Sequence, residues 1–594
     1  MRFLFVFFLV ATLFGLSPSG FSQWYEPVEP EIEFTKWSRP EPPRLKDIRA
    51  AVSYLRAHFA GKKKQPKLTR KWRRDKGYRV LFLSVSDGDH PAKVVMGCGD
   101  GYRAALDQIL TQVQEQPGLR DGKWLKLDVV SRIEKPEIAR HAEPFQLDYT
   151  LEGIANGDGK WALLPGQILA HDAYDFLGNT LHGYALGNAL RIGGRNEPGL
   201  AQRFRSPGLA VRRFRTHAFC FDGQTIRQLF RDHRDFAKFN LADLEEAMAL
   251  GMAYLVRSTK QDGSFVYTYH DSGQPQYSLA RHGGTLFAMA DYYRDHPSPE
   301  LLAAIERARD YLLAQIRIFK HDAEPVPVIV ERGAIKLTVM ALGLLSLGEC
   351  YKLSGDPQLL ETLRGLASYI GNSQLPNGRF YTRRDFDDGR WRKELESLYA
   401  PGEAIFGLAN LYKLDPDSKW LEIGENGTNY LVDRQKKVPL AQMEHDHWLL
   451  YALNTLHSIT PKPYQEEATL RLTRAIEQLQ RKQSPIPDWI GSYYDPPRST
   501  PTATRSEGLL SAHQMMVRAG RKKEARRIWD LARRSVSFQL QTQFRPGNAM
   551  YLPYPNKAVG GFRGSFIENT IRIDFVQHNV SALLMMARHL KSNR

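Results

Sequence analysis

At 594 residues the chain exceeds what one ordinary hydrophobic core serves, so two domains are the expected arrangement. Its composition, 42% hydrophobic and 25% charged, is that of a globular protein and excludes a low-complexity chain. A formal net charge of +17 suits an anionic partner, and three scattered cysteines, Cys98, Cys220 and Cys350, exclude a disulfide framework or a zinc finger and read as buried free thiols.

Taken in chain order, Arg2 is followed by an apolar run from Phe3 to Leu16 and then Ser17-Pro-Ser-Gly-Phe-Ser22. That is the pattern of a secretory signal peptide, with cleavage expected before Gln23. The mature protein is therefore expected to be exported, periplasmic or extracellular, with no integral membrane span. Export makes nucleic acid an unsuitable partner despite the charge. Residues 23–45 are rich in Pro, Glu and Trp and read as a linker.

A small α+β domain is expected over 46–190. Lys46 to Phe59 has a helical apolar face, and a basic run, 61–74, reads as a solvated loop. Arg79–Val85 and Lys93–Met96 predict a hairpin. Gly97-Cys-Gly-Asp-Gly101 before a helix at Tyr102–Gln114 resembles a phosphate cradle, but no βαβ unit surrounds it, so it reads as a turn. Trp124–Ile133 and Phe145–Ile154 are further β-prone runs. Residues 191–238 are Arg-rich and irregular, and read as the connection to a second domain, 239–594.

That second region repeats. Tyr293 to Leu312, Tyr351 to Ile370 and Tyr412 to Leu431 each carry Asp or Ser before Pro and an amphipathic run. The polar side chain caps the helix, and Pro fits the first turn because no intrahelical donor is lost there. Turns combining Gln, Gly and an aromatic follow, as in Gln261-Asp-Gly-Ser-Phe265 and Gln374-Leu-Pro-Asn-Gly-Arg-Phe380, with a looser copy from Gln483 to Tyr493. More apolar helices then begin near His282, Lys336, Glu403, His447, Glu507 and His578. Alternating outer and inner helices of this kind close into a ring, with an open solenoid as the competing architecture.

The pattern over about 239–594 resembles the six-hairpin α/α toroid superfamily of glycoside hydrolases, polysaccharide lyases and sugar epimerases. The turns are similar to the repeat motif of terpenoid cyclases, although the Asp-x-Asp-Asp acid cluster of those enzymes has no match. The expected fold is mainly α: a C-terminal six-hairpin toroid preceded by the small α+β domain. In such toroids the ligand lies where inner helices begin, so the polar residues there are the candidates.

Glu403, Asp446, Glu507 and Asp574 are the candidate catalytic acids, since two carboxylates across a sugar ring suffice for glycoside hydrolysis. His282, Tyr399, His447, Arg505, Arg572 and His578 are the candidate substrate-binding residues. For a uronic acid, Arg505 or Arg572 would hold the carboxylate and His447, His578 or Tyr399 would move the proton, as in a lyase or epimerase. Glu444-His-Asp-His447 is dense in ligand types, but His445 and His447 are two apart and point to different helix faces, so no metal and no cofactor is expected. The expected function is an exported carbohydrate-active enzyme acting on an acidic polysaccharide. The alternative is a non-catalytic glycan-binding or surface-polysaccharide assembly protein.

Overall fold

The computed structural model describes residues 31–592 apart from 149 and 270–275. The signal-peptide expectation therefore lies outside the described residues, as does the first part of the linker.

In the N-terminal half, β1 (Tyr78–Ser86) pairs antiparallel with β2 (Lys93–Asp100), as the hairpin pattern predicts, and on its other edge with β3 (Trp124–Ile133). Two short strands, β4 (Glu152–Asn156) and β5 (Ala162–Leu163), and a long one, β6 (Leu209–Phe221), complete the order β2-β1-β3-β6-β4-β5. The Arg-rich stretch is thus not irregular. With Val211, Phe214 and Phe219 buried along it, it forms a strand in the middle of the sheet, so position 190 does not end this unit. The linker is also partly docked: Ile32 is buried and its N–H donates to the Gly159 carbonyl.

Side chains alternate along β1, as strand geometry requires. Leu81, Leu83 and Val85 join one buried cluster with α1 (Leu45–Phe59) and α2 (Tyr102–Glu115). Val80 and Phe82 face the other way and join the cluster that continues into the helical ring. Of the glycines before α2, Gly97 and Gly99 are strand, and Gly101 is the N-cap with φ +89°. A Cβ at Gly97 would lie 2.1 Å from the Ala105 carbonyl, so glycine is what lets α2 lie directly on β2.

The C-terminal half contains six helical hairpins among the described residues. The outer helices are α3 (Leu241–Ser258), α5 (Pro299–Leu313), α7 (Pro357–Asn372), α9 (Ser418–Lys436), α11 (Pro463–Leu479) and α13 (Lys522–Gln541). The inner helices are α4 (Leu279–Tyr293), α6 (Leu337–Ser354), α8 (Ala400–Leu414), α10 (His447–Ile459), α12 (Ser499–Arg518) and α14 (Ile573–Ser592), each packed on the outer helix that follows it, with α14 packed on α3. Each inner helix packs on the next, and α14 packs back on α4. The ring is closed, which settles the toroid against the open solenoid.

Local chemistry explains the hairpins. Ser298 accepts from the Leu301 N–H and Asp356 from the Gln358 N–H, each ahead of a proline in the first turn. In the third copy the cap is Asp417 rather than Asp415, and Asp415 instead pairs with Arg364 at 2.8 Å and accepts from the Trp420 indole. The inner helix α6 is apolar nearly all round, with thirteen residues from Leu337 to Cys350 buried. Each buried Leu or Met side chain contributes roughly 1.5–3 kcal/mol.

The glycine turns lace one outer helix to the next. Gly263, after α3, has φ +82°, and a Cβ there would sit 2.0 Å from the Arg307 carbonyl of α5. Gly560, after α13, has φ +93° and lies equally tight on the Leu250 carbonyl of α3. Gly378 and Gly491 repeat the contact on α9 and α13. Only glycine meets both the left-handed backbone and the close approach.

Sheet and ring share a polar seam. Lys126, on β3, is fully buried and reaches Asp232 at 2.6 Å and Asp128 at 3.6 Å. The Tyr551 hydroxyl meets Ser84 at 2.8 Å. Tyr551, in the aromatic loop before α14, is therefore a brace between sheet and ring.

Candidate functional site

The first turns of the inner helices lie together at one end of the ring, and the structure sorts their polar residues into two kinds. Some are consumed by the wall. His282, in α4, is buried; its Nδ1 meets the Tyr277 hydroxyl and its Nε2 the Ala308 carbonyl, both at 2.8 Å. Burial pushes its pKa down to about 4, so the ring is neutral, donating through Nε2–H and accepting at Nδ1. It ties α4 to α5 and offers nothing to a ligand.

Arg505 is likewise engaged. Its Nε donates to His445 Nδ1 at 2.8 Å, its Nη1 to the Pro501 carbonyl at 2.7 Å and its Nη2 to the Tyr494 hydroxyl at 3.1 Å. Tyr493 and Tyr494 stack on it. Arg572 and Asp574, expected as a substrate clamp and a catalytic acid, are paired with each other: Nε to Oδ1 is 2.5 Å and Nη2 to Oδ2 is 2.8 Å. Arg281 adds a second cation to Asp574 at 3.2 Å.

Asp446 caps α10, accepting from the Leu449 N–H at 3.1 Å. It is buried, and desolvation raises its pKa to about 7. Glu403, in the first turn of α8, is also buried and accepts from the Thr338 hydroxyl. Desolvation, with a smaller contribution from Asp446, pushes its carboxyl well above the usual range. Both acids sit inside the helix–helix contact: a Cβ on Gly402 would lie 3.0 Å from Asp446 Oδ2. They do not face each other across an open cleft.

The remaining candidates converge. His447 begins α10, Glu507 lies two turns into α12, and His578 lies in the second turn of α14. His578 Nδ1 is 2.8 Å from Glu507 Oε2, and His447 Nε2 is 4.0 Å from the same oxygen. The two imidazoles stand edge to face with centroids 5.4 Å apart. Gly508 permits this approach, since a Cβ there would lie 3.2 Å from His447 Cβ. Glu507 is buried and its pKa is raised by desolvation, partly offset by His578.

His447 is only 4% exposed, and neither ring nitrogen has a hydrogen-bond partner among the described residues. Burial, reinforced by His578 and Arg505, holds its pKa well below the ordinary value. It is a neutral imidazole with unmet hydrogen-bonding capacity. Tyr399 stands edge to face with it at 5.9 Å and is 42% exposed, at the rim.

Aromatic side chains fill the bore beside this trio. Phe406 stacks on Tyr451 at 4.9 Å, and Trp448 packs against both. Tyr451, which the sequence reading did not single out, donates to Glu507 Oε1 at 3.3 Å. Its position four residues after His447, on the same helix face, was the available signal.

One ligand atom from each of His447, Glu507 and His578 lies within 4.8 Å of the others. Two histidines and a glutamate are a set that binds zinc at catalytic centres, so these residues could hold a divalent cation. His445 and His447 diverge, though not by helix geometry, since His445 precedes α10: one meets Arg505 and the other faces Glu507.

No family model matches the chain, and no curated protein matches it. Among solved structures, cellobiose 2-epimerase from Spirochaeta thermophila is similar at 13% identity, over 59% of this chain and 97% of its own, with a TM-score of 0.44. An unsaturated glucuronyl hydrolase specific for heparin is similar at 13% identity, over 59% and 99%, with a TM-score of 0.43. An α-1,6-mannanase from Salegentibacter is similar at 13% identity, over 59% and 99%, with a TM-score of 0.41. The toroid assignment stands on the closed ring itself.

Proposed function

We propose that the toroid mouth is an enzyme site that moves a proton at a sugar carbon next to a carbonyl, giving epimerisation or isomerisation. The observation that carries this reading is the Glu507–His578 pair at 2.8 Å, with the unpartnered, buried His447 beside it. Glu507 fixes the His578 tautomer by accepting its Nδ1–H, which leaves the Nε2 lone pair to take the carbon-bound proton. His447, neutral and unpaired, is suited to exchange a proton with the sugar oxygen or with the opposite face of the carbon. Returning the proton to the other face inverts the centre; returning it to the neighbouring carbon isomerises the sugar. Either way atoms balance without an outside reactant.

Hydrolysis by paired acids is less well supported, because Asp574 is held by two arginines, Asp446 caps a helix and Glu403 is buried between helices. An acidic saccharide remains the preferred substrate class, on the charge of +17 and the partly exposed Arg281 and Lys336 at the rim. Export remains part of the proposal, on the sequence of Met1 to Gln23; no described helix is long and apolar enough to cross a membrane.

The test is incubation of purified protein in deuterated water with neutral and uronic-acid mono- and oligosaccharides. Deuterium entering carbon next to the carbonyl, with a new epimer or isomer, is the expected result. A second reading, glycan binding without turnover, is favoured by the aromatic packing of the bore; saturable binding with no exchange would establish it and sink the enzyme. Activity that vanishes with chelator and returns with a divalent cation would replace the proton relay by a metal centre.

A further inference from the structure

A cavity of about 230 Å³ lies away from the mouth, where the sheet meets the ring. Cys220 on β6 and Arg227 on the strand beside it line one side, and Glu246 of α3 and Arg545 after α13 line the other. Its charged groups are nearly all accounted for. Asp232 is held by Lys126 at 2.6 Å, Glu246 by Arg234 and, at 3.6 Å, by Arg227. Asp222 accepts from the Thr225 N–H at 2.7 Å, and His233 Nε2 meets Asp488 at 3.3 Å.

Arg227 Nε has no hydrogen-bond partner among the described residues, and the larger exception is Arg545. It is 9% exposed, its Nη1 donates to the Leu540 carbonyl at 3.1 Å, and its Nε and Nη2 have no hydrogen-bond partner among the described residues. Phe236 packs against its face, with the guanidinium carbon 4.9 Å from the ring centroid. Nε–H and Nη2–H run parallel along one edge of a guanidinium, and that edge matches two oxygens of a carboxylate, sulfate or phosphate. A buried cation with that edge unmet is costly unless an anion completes it. Burial, then the neighbouring Arg234 and Arg227, push its pKa down to about 9, partly offset by Glu246 and Asp243.

We infer that this junction cavity binds one small oxyanion through the Nε–Nη2 edge of Arg545. The site is independent of the chemistry proposed at the mouth. Because its walls come from both the sheet and the ring, an occupant would fasten the two together.

Calorimetric titration of the whole protein with sodium sulfate, sodium phosphate and sodium glucuronate, at matched ionic strength against chloride, tests it. One saturable site per chain is expected, weakened at least about tenfold in Arg545→Gln and less in Arg545→Lys. Binding of the inorganic anions assigns a free oxyanion; binding of glucuronate alone assigns a saccharide-borne carboxylate. Should Arg545→Gln not fold, selenate soaked into crystals of the unaltered protein places the anion directly by its anomalous signal. Absence of saturation below about 10 mM for all three anions, unchanged affinity in Arg545→Gln, or a selenate-free cavity would each overturn the assignment.

Discussion

His282 and His447 occupy comparable places, near the starts of inner helices α4 and α10, and both are buried. Both have pKa values pushed down by desolvation. They differ in what their nitrogens meet. His282 has one donor and one acceptor partner at 2.8 Å, whereas His447 has none. A buried polar group without partners costs folding free energy of about 1–3 kcal/mol. The contrast teaches that burial and helix position mark a helix-start residue in this ring, while unmet hydrogen bonding marks a site.

The largest effect expected from that contrast is on turnover. His578→Ala and His447→Ala should each lower deuterium exchange by roughly 10²–10⁴-fold with the fold intact by circular dichroism. Equal activity in both variants and the parent protein would break the comparison at its functional end. His282→Ala should do the reverse: it removes about 2–4 kcal/mol of stability in denaturant unfolding, while the folded fraction keeps its turnover.

That loss should depend on pH. The His282 pKa is about 4 in the folded chain against 6.5 for the free group, so below pH 6.5 the unfolded chain takes a proton that the native ring refuses. Stability from the neutral ring is present above pH 6.5 and fades as pH falls toward 4. The gap between parent and His282→Ala should narrow across that window.

The smallest effect belongs to Asp446. Its folded pKa, about 7, lies above the ordinary 3.8, so its contribution is present below the ordinary value and lost as pH rises through 7. Asparagine also caps helices, so Asp446→Asn should gain about 1 kcal/mol on the parent between pH 5 and pH 8. A loss over that range would show that the ionised carboxylate is needed.

The hairpin count, most inner-helix starts and two of the three caps were legible because each is local: a cap, a proline and an apolar period lie within a few residues of one another. However, α12, expected near Glu507, begins at Ser499, and the third cap is Asp417. The strand at Leu209–Phe221 was not legible, because its buried residues do not alternate, with Val211 and Phe214 three apart around Arg212 and Arg213, and its partners are remote in sequence. The site was half legible. Helix position nominated all ten candidates, but that Arg281 joins Arg572 on Asp574 and that Glu507 meets His578 depend on contacts between residues 293 and 71 apart in sequence. Tyr451 escaped because it reads as one more aromatic in an apolar helix.

The glycine turns bear on how the ring comes apart. The contact of Gly560 on Leu250 joins the last outer helix to the first, and it is as tight as the contact of Gly263 on Arg307 within the series. The ring therefore has no weaker seam where its sequence begins and ends. An open stack of repeats frays from its terminal units inward. Here no hairpin is terminal, so amide exchange in α3 and α14 should be as slow as in α7 and α8, and the chain should tolerate being cut at a hairpin loop and rejoined across the old ends.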